Sequence, residues 1–464
     1  MGVNIINSNN SHYAAALTKD GLSIHVMGLG INHKAQLATT ASEALLNADW
    51  IVGSERQLEV VADFLYENAK ARPSDMSSLP QRLVLPPLKE LKAFIDDLES
   101  TDGMEAIEGE NNDPCAKSIV ILASGDPLFY GIGGWVSRSF TSAQIHFYPG
   151  VSSIQGSCHA LGLSLQDVNV LSLHGRPLEK IRSQIKSNNT LVILTDKHSH
   201  PKALAQECIN AGFIEATVSV CEALGYEHEK IRTFSAMDLI KNSYQFDVLH
   251  VSVIKTKKSI KLVHEFPGIQ DDAFFTDGEK GKGMITKREV RLNILSLMQP
   301  TNGDVIWDIG AGCGSVAVEL CYWNSNVQVH AIEHHTDRIA CLEKNKSHFG
   351  VVSNLHIVPH RAPQAFEGLA KPNKVFIGGS DGEMGAMLQE LWDALPVGGL
   401  LVASSVLEGS RQNLVSFYQA RQQMSDAQCE SLQVAVSRGG ELAGQLVFRP
   451  ALAVTLFKWV KTTI

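Results

Sequence analysis

Three glycines stand at every second position in the stretch WDIGAGCGSVAVEL, residues 307–320, directly after an apolar run that ends in an acid. Gly310, Gly312 and Gly314 have two uses in such a place. Glycine accepts positive φ, and without a Cβ it lets backbone N–H groups meet a ligand where a helix begins. Asp308 stands two positions before the first glycine, and Ala311 and Cys313 fill the gaps between the glycines. Glu333 lies about 20 residues beyond the first glycine, at the end of VQVHAIE (327–333), where a carboxylate can accept both hydroxyls of a ribose. Together these residues describe an adenosine-type site. The spacing is G-x-G-x-G where a dinucleotide fingerprint has G-x-G-x-x-G, and the acid beside the turn repels a pyrophosphate but suits a cation. The sulfonium and ammonium of S-adenosylmethionine are therefore favoured over a nicotinamide dinucleotide, with a purely structural glycine turn as the third alternative.

These residues need particular elements to hold them. GDVIWDIG (303–310) reads as a buried parallel strand, and SVAVELCYW (315–323) as the helix it feeds. The same alternation runs through the first half, where SIHVMGLG (23–30), ADWIVG (48–53), SIVILASGD (118–126), AQIHFYPG (143–150), TLVILTD (190–196), ATVSVCEAL (216–224) and FDVLHVSVI (246–254) read as strands of an α/β fold. The polar stretch 99–117 reads as a surface insertion and residues 1–22 as a loose tail. A mixed-charge segment without apolar period, 255–283, separates the two series, so the expected units are 23–258 and 259–464. A chain of 464 residues exceeds what one core usually serves.

Composition narrows the function. A formal charge of −9 argues against a general binder of nucleic acid or anionic membranes, while a local basic pocket for a small polyanion stays possible. The eight cysteines show no C-x-x-C pair, which fits a reducing cytoplasm and neither a disulfide framework nor a zinc site. No apolar stretch approaches the length of a membrane span, and the first 20 residues lack the features of a signal peptide.

Several motifs in order then resemble one family. FPGIQDDAFF, GMITKREVR, WDIGAGCGSVAVEL and VFIGGSDGE resemble the decarboxylating half of the vitamin B12 corrin-ring methyltransferases. GLGINHKAQL, ASEALLNADWIVGSERQLE, ASGDPLFYGIG, PGVSSIQGSCHALGLSLQDVNVLSLHGRP and VILTD resemble a tetrapyrrole (corrin/porphyrin) methylase of the carbon-5 branch. The resemblance spans about residues 23 to 450. It implies an N-terminal two-lobed tetrapyrrole methylase fold joined to a C-terminal Rossmann-like class I methyltransferase fold, both α/β. It further implies S-adenosylmethionine-dependent methylation of precorrin-6 at carbons 5 and 15, with decarboxylation of the ring C acetate to give precorrin-8X. The alternatives are a carbon-15 enzyme with a non-catalytic first half, and a cobalt-containing ring as substrate.

By the same resemblance the first donor site takes Gly125, Asp126, Pro127, Ser152 and Ser153, and the second adds Thr286 and Ala362 to the glycine turn. On residues alone, SGDP also reads as a plain Asp-Pro turn. Two departures from the family pattern stand out. Asn32 and His33 replace glycines after Gly28 and Gly30, and Arg361 stands where an acid usually meets the adenine. A homo-oligomer is expected. A polycarboxylate substrate calls for basic residues, and the candidates in the second half are Lys280, Lys282, Lys287, Arg288, Arg291, His334, His335, Arg338, His360, Arg361 and Arg438. Exposed ion pairs contribute only about 0.2 to 1 kcal/mol each, so several must act together, and at least half of these are expected to be ordinary surface charges. Lys287 and Arg288 are the first choices. Gly378, Gly379 and Ser380 in FIGGSDGEMG are small enough for a flat macrocycle to approach the methyl group. No metal is expected at His334 and His335, since adjacent side chains on a loop diverge. No single catalytic acid or base is required.

Overall fold

The computed structural model describes residues 22–68, 80–100, 117–140, 144–279 and 282–463. Residues 1–21 of the expected tail and most of the polar insertion, together with Lys280, lie outside the described residues, and Leu22, expected in the tail, is instead buried in a core cluster.

Apolar β-branched runs form three main sheets. The first contains β1 (Ser23–Gly28), β2 (Trp50–Gly53), β3 (Gln81–Val84), β4 (Ser118–Ala123) and β5 (Gln144–Tyr148), in the order β3-β2-β4-β1-β5. All its pairings are parallel. The second contains β6 (Asn169–Ser172), β7 (Thr190–Leu194), β8 (Thr217–Glu222), β9 (Lys230–Ser235) and β10 (His250–Lys255), ordered β6-β7-β10-β8-β9. Only its β6–β7 pair is parallel. These two sheets are the two lobes of the first half, and the ends of β1, β4, β6 and β7 open toward one cleft.

The third sheet has seven strands, introduced in chain order as β11 (Val305–Ile309), β12 (Gln328–Ile332), β13 (Leu355–Val358), β14 (Lys374–Ile377), β15 (Leu400–Ser405), β16 (Ala427–Val434), then β17 (Ser437–Leu442) and β18 (Gln445–Pro450) as a separate hairpin, and β19 (Val454–Lys461). Its order is β13-β12-β11-β14-β15-β19-β16, parallel except at β19. The strand order reverses between β11 and β14. A ligand crevice in an open α/β sheet forms at such a switch point, outside the carboxyl ends of the strands, and the glycine turn sits there.

Six apolar clusters fill the described residues, and none mixes the halves. Four contain residues up to Ile254, with Val263 packed on one of them, and two contain residues from Ile269 onward. The junction is polar by contrast: Arg182 donates to Ser347 O at 2.9 Å, and Lys186 to Tyr322 Oη at 2.6 Å and His264 O at 2.7 Å.

Candidate functional site

Between Ile309 and Ser315 the chain turns from β11 into the helix Ser315–Trp323, and Gly310, Gly312 and Gly314 adopt φ of 67°, 59° and 85°. Side chains rarely adopt this left-handed backbone, so the first reason for glycine holds. The second does not. The N–H groups of Gly310 and Ala311 donate to Ile332 O at 3.0 and 3.1 Å, that of Gly312 to Glu333 Oε2 at 2.9 Å, that of Cys313 to Met284 O at 3.0 Å, and that of Gly314 to Ala311 O at 2.9 Å. The whole row is engaged inside the protein. The missing side chains make room for protein as well. A Cβ on Gly310 would lie 2.5 Å from Gly379 O, one on Gly312 2.6 Å from Met284 O, and one on Gly314 would strike Leu342.

Two carboxylates sit against this turn. Glu333 follows β12, is 4% exposed, and accepts three N–H groups, from Gly312 on Oε2 and from His334 and His335 on Oε1 at 2.8 and 2.9 Å. A carboxylate offers about four acceptor positions, so little more than one remains for a ribose. Asp308 is 1% exposed, and neither of its oxygens makes a full hydrogen bond, the Ala317 N–H being the only donor that acts on it. Burial pushes its carboxyl up to about 7; the Ala317 N–H offsets part of this, and the neighbouring Glu333 charge adds to it. A buried acceptor pair without a full hydrogen bond suits a cationic group.

Around the turn the sequence candidates divide. Met284 and Thr286 belong to a strap laid over it: Met284 O accepts the Cys313 N–H, and Thr286 O accepts the Ser315 hydroxyl at 3.4 Å. Gly378 and Gly379 donate to Ile309 O at 2.9 and 3.3 Å, which presses their loop on Gly310, and Ser380 follows in the same loop. His334 Nε2 reaches Asp381 Oδ2 at 3.2 Å and Arg361 donates to Asp381 O at 3.4 Å, so that loop is tied to the turn after β12 and to the one after β13. Ala362 packs beside the second-half core. Lys287 caps the helix Arg288–Met298, and Arg288 lines a separate crevice of about 700 Å³ at the junction, next to Glu289 and Arg438.

Two expectations fail. Arg291 is fully buried and donates to Glu319 Oε1 at 2.5 Å and Asp271 Oδ1 at 3.2 Å, so it cannot meet a substrate. The His334 and His335 rings do not diverge: their centroids are 4.0 Å apart, and with Glu333 they offer ligand-type atoms within 4.8 Å of one another. Glu333 nevertheless commits both oxygens to backbone N–H groups, so we assign no ion there.

In the first half three loops converge. Gly30 and Gly125 pair through N–H to O bonds of 3.4 and 3.1 Å, and a Cβ on Gly28 would lie 2.5 Å from Gly125 O. Gly125, Ser152 and Ser153 line a cleft of about 1520 Å³ between the lobes. Ser152 also caps the helix Ser153–Ala160, accepting the Gln155 N–H at 3.1 Å. Asp126 and Pro127 do not line the cleft; Asp126 Oδ1 accepts the Leu128 and Phe129 N–H groups at 2.8 and 3.1 Å and so closes its own turn. The departing loop spans the lobes, for His33 N–H donates to Gly225 O at 3.4 Å. Sequence reasoning missed Arg56, Ser124, Tyr130 and the residues after β6 and β7 that line the same cleft; their signal was position at strand ends.

Two sheets around one cleft, followed by a seven-stranded sheet with a second ligand turn, define a methyltransferase built from two unlike methyltransferase folds. Residues 23–240 match the Tetrapyrrole (Corrin/Porphyrin) Methylases and residues 272–461 the Precorrin methyltransferase domain. A precorrin-6Y C(5,15)-methyltransferase [decarboxylating] from Sinorhizobium sp is 31% identical over 437 residues, covering 94% of this chain and 96% of the relative. One of the same name from Mycobacterium tuberculosis (strain ATCC 25618 / H37Rv) is 28% identical, covering 94% and 100%. The crystal structure of a precorrin-6Y C5,15-methyltransferase from Geobacter metallireducens GS-15 is 28% identical, with 42% of this chain and 98% of that one covered at a TM-score of 0.38. The chain belongs to the family of decarboxylating precorrin-6Y C(5,15)-methyltransferases.

Proposed function

We propose that the chain methylates a precorrin-6 intermediate at carbons 5 and 15 and removes carbon dioxide from its ring C acetate, giving precorrin-8X, with S-adenosylmethionine as donor in both halves. The observation that carries the donor assignment is the second turn, which has no N–H left for a pyrophosphate and has beside it the buried Asp308 carboxylate, which makes no full hydrogen bond. Mass spectrometry of the product made from a precorrin-6 intermediate tests the whole reading. A gain of two methyl groups with loss of one carbon dioxide is expected. A calorimetric donor stoichiometry near two per chain is expected as well, and near one would leave the first half non-catalytic.

When bound, S-adenosylmethionine supplies an electrophilic methyl group. In the second half Asp308 balances the donor's positive charge from below, Glu333 takes a ribose hydroxyl with its remaining lone pair, and Ala362 adds an apolar contact on the adenine side. Gly378, Gly379 and Ser380 let the macrocycle lie close to the turn, since no large side chain intervenes. In the first half Gly125, Ser152 and Ser153 form the donor wall. A nucleophilic meso carbon needs alignment more than acid or base help, and alignment of two reactants is worth up to about 7 to 11 kcal/mol. For decarboxylation the conjugated ring takes the electrons, and the protein assists by holding that carboxylate away from water.

A further inference from the structure

Facing the donor wall of the first cleft are His174 and Arg176, which follow β6, and Lys197, His198, His200 and Lys202, which follow β7. All six side chains are exposed and line the same cavity. The ion pairs of this lobe are Arg182 with Glu207, Arg232 with Glu222, Lys257 with Glu215 and His228 with Asp247. None, among the described residues, takes up Arg176, Lys197 or Lys202. Arg176 and Lys202 reach only backbone oxygens, Ser172 O at 3.3 Å and Asn242 O at 3.4 Å.

The two loops are mounted as one unit. Asp196 Oδ2 accepts the Gly175 N–H at 2.9 Å, while Oδ1 accepts the N–H groups of His198 at 2.9 Å and Ser199 at 3.0 Å and the Ser199 hydroxyl at 3.0 Å. Burial opposes its charge, but these donors outweigh burial and hold its carboxyl far below the usual range. Its oxygens are thus committed to the loops, and the cleft's other acid, Asp247, already faces His228 at 3.3 Å. The cleft's apolar lining includes Leu29, Ile31, Val60, Leu224 and Leu239, and on the donor side Arg56 donates to Ser124 Oγ at 2.8 Å and Tyr226 Oη at 3.2 Å. Apolar lining beside a cluster of cations without carboxylate partners is complementary to a flat ring with ionised acid side chains at its edge.

We propose that His174, Arg176, Lys197, His198, His200 and Lys202 form the carboxylate-reading rim of the first methylation site, holding the tetrapyrrole by its peripheral acid groups opposite the donor wall. This rests on the functional reading above. Each exposed contact is weak and screened by salt, so the rim acts through number and sets KM, leaving the transfer step alone.

The test uses the full-length chain carrying Arg176→Glu and Lys197→Glu together, with a precorrin-6 intermediate as substrate. For carbon-5 methylation KM should rise about tenfold or more, the combined loss of two modest ion pairs and their replacement by repulsion. kcat, donor affinity and carbon-15 methylation should hold. A polycarboxylate porphyrin used as a fluorescent probe should bind the variant more weakly than the parent, whereas its neutral methyl ester should not distinguish them. An unchanged carbon-5 KM in a folded variant overturns the rim, as does an equal loss at carbon 15. If the unaltered chain transfers no methyl group to the tetrapyrrole, the functional reading falls and the rim with it.

Discussion

Asp308 makes no full hydrogen bond and is almost wholly buried, so its titration is a statement about stability. Burial raises its carboxyl to about 7. The folded state therefore keeps its full share of stability below about pH 4, the unfolded value, and loses it as pH rises through 7. Asp308→Asn removes that loss. Urea unfolding should show the variant gaining on the parent between about pH 4 and pH 7 and levelling above, by up to about 4 kcal/mol. A pH-independent difference would refute the shift. Donor affinity should meanwhile fall about tenfold, because an amide cannot balance the cation. Gly312→Val acts through geometry: its Cβ would lie 2.6 Å from Met284 O on a backbone of φ 59°, so the strap must lift. Carbon-15 methylation should be lost and carbon-5 methylation kept, at about 1 to 3 kcal/mol in stability. The product's methylation pattern checks it, and loss of both methylations would mean one shared donor pocket.

At the scale of elements, β1, β4 and β7 at the first cleft and β11 before the glycine turn were legible because buried parallel strands are continuous apolar runs, whereas the four-residue β6 was not read. Nor were β3, β9 and β17: their side chains are mostly exposed, and their sequences carry no such run. The strap over the turn was also hidden. Residues 268–279 and 282–286 have no apolar period because polar tertiary contacts hold them. Glu319 accepts the Gly268 and Ile269 N–H groups at 2.8 and 3.1 Å, and Arg291 binds both Glu319 and Asp271. The signal for Arg291 was present, however, since it shares a helix face with Val290, Ile294 and Leu297, all buried. Reading its charge before its position sent it to the substrate. Arg291→Met leaves Glu319 without its cation in the interior and removes one of the two cations beside Asp271, the other being Arg438 at 3.7 Å, and breaking one partner of a buried pair costs about 3 to 5 kcal/mol. Chemical denaturation should show that loss. A change below about 0.5 kcal/mol, the size of a typical surface substitution, would mean the strap is held otherwise.

Across the whole molecule the apolar cores stay within their halves, and the junction is made of polar bonds and one close backbone approach. A Cβ on Gly350 would lie 2.5 Å from Glu179 O, beside the Arg182 to Ser347 bond. Lys186 is a half-buried cation of this junction; burial pulls its ammonium down to about 8, with Glu265 acting the other way. Val263 packs on the first half's core and Ile269 belongs to the second's, so a cut that spares both cores falls between them. Segment 255–283 had blurred that boundary, because it offers no apolar period to either side. A fragment of residues 266–464 keeps the contacts of Gly268 and Ile269 with Glu319 and the Arg291 cluster, and is expected to fold on its own. It should methylate carbon 15 and release carbon dioxide while making no carbon-5 product. Its exposed Tyr322 and Phe349 should lower its stability by no more than a few kcal/mol relative to the same half in the full chain. Circular dichroism and product mass spectrometry on the purified fragment decide it. An unfolded fragment would show that the first half is needed to complete the second, and a fragment that methylates carbon 5 would reverse the assignment of the two halves.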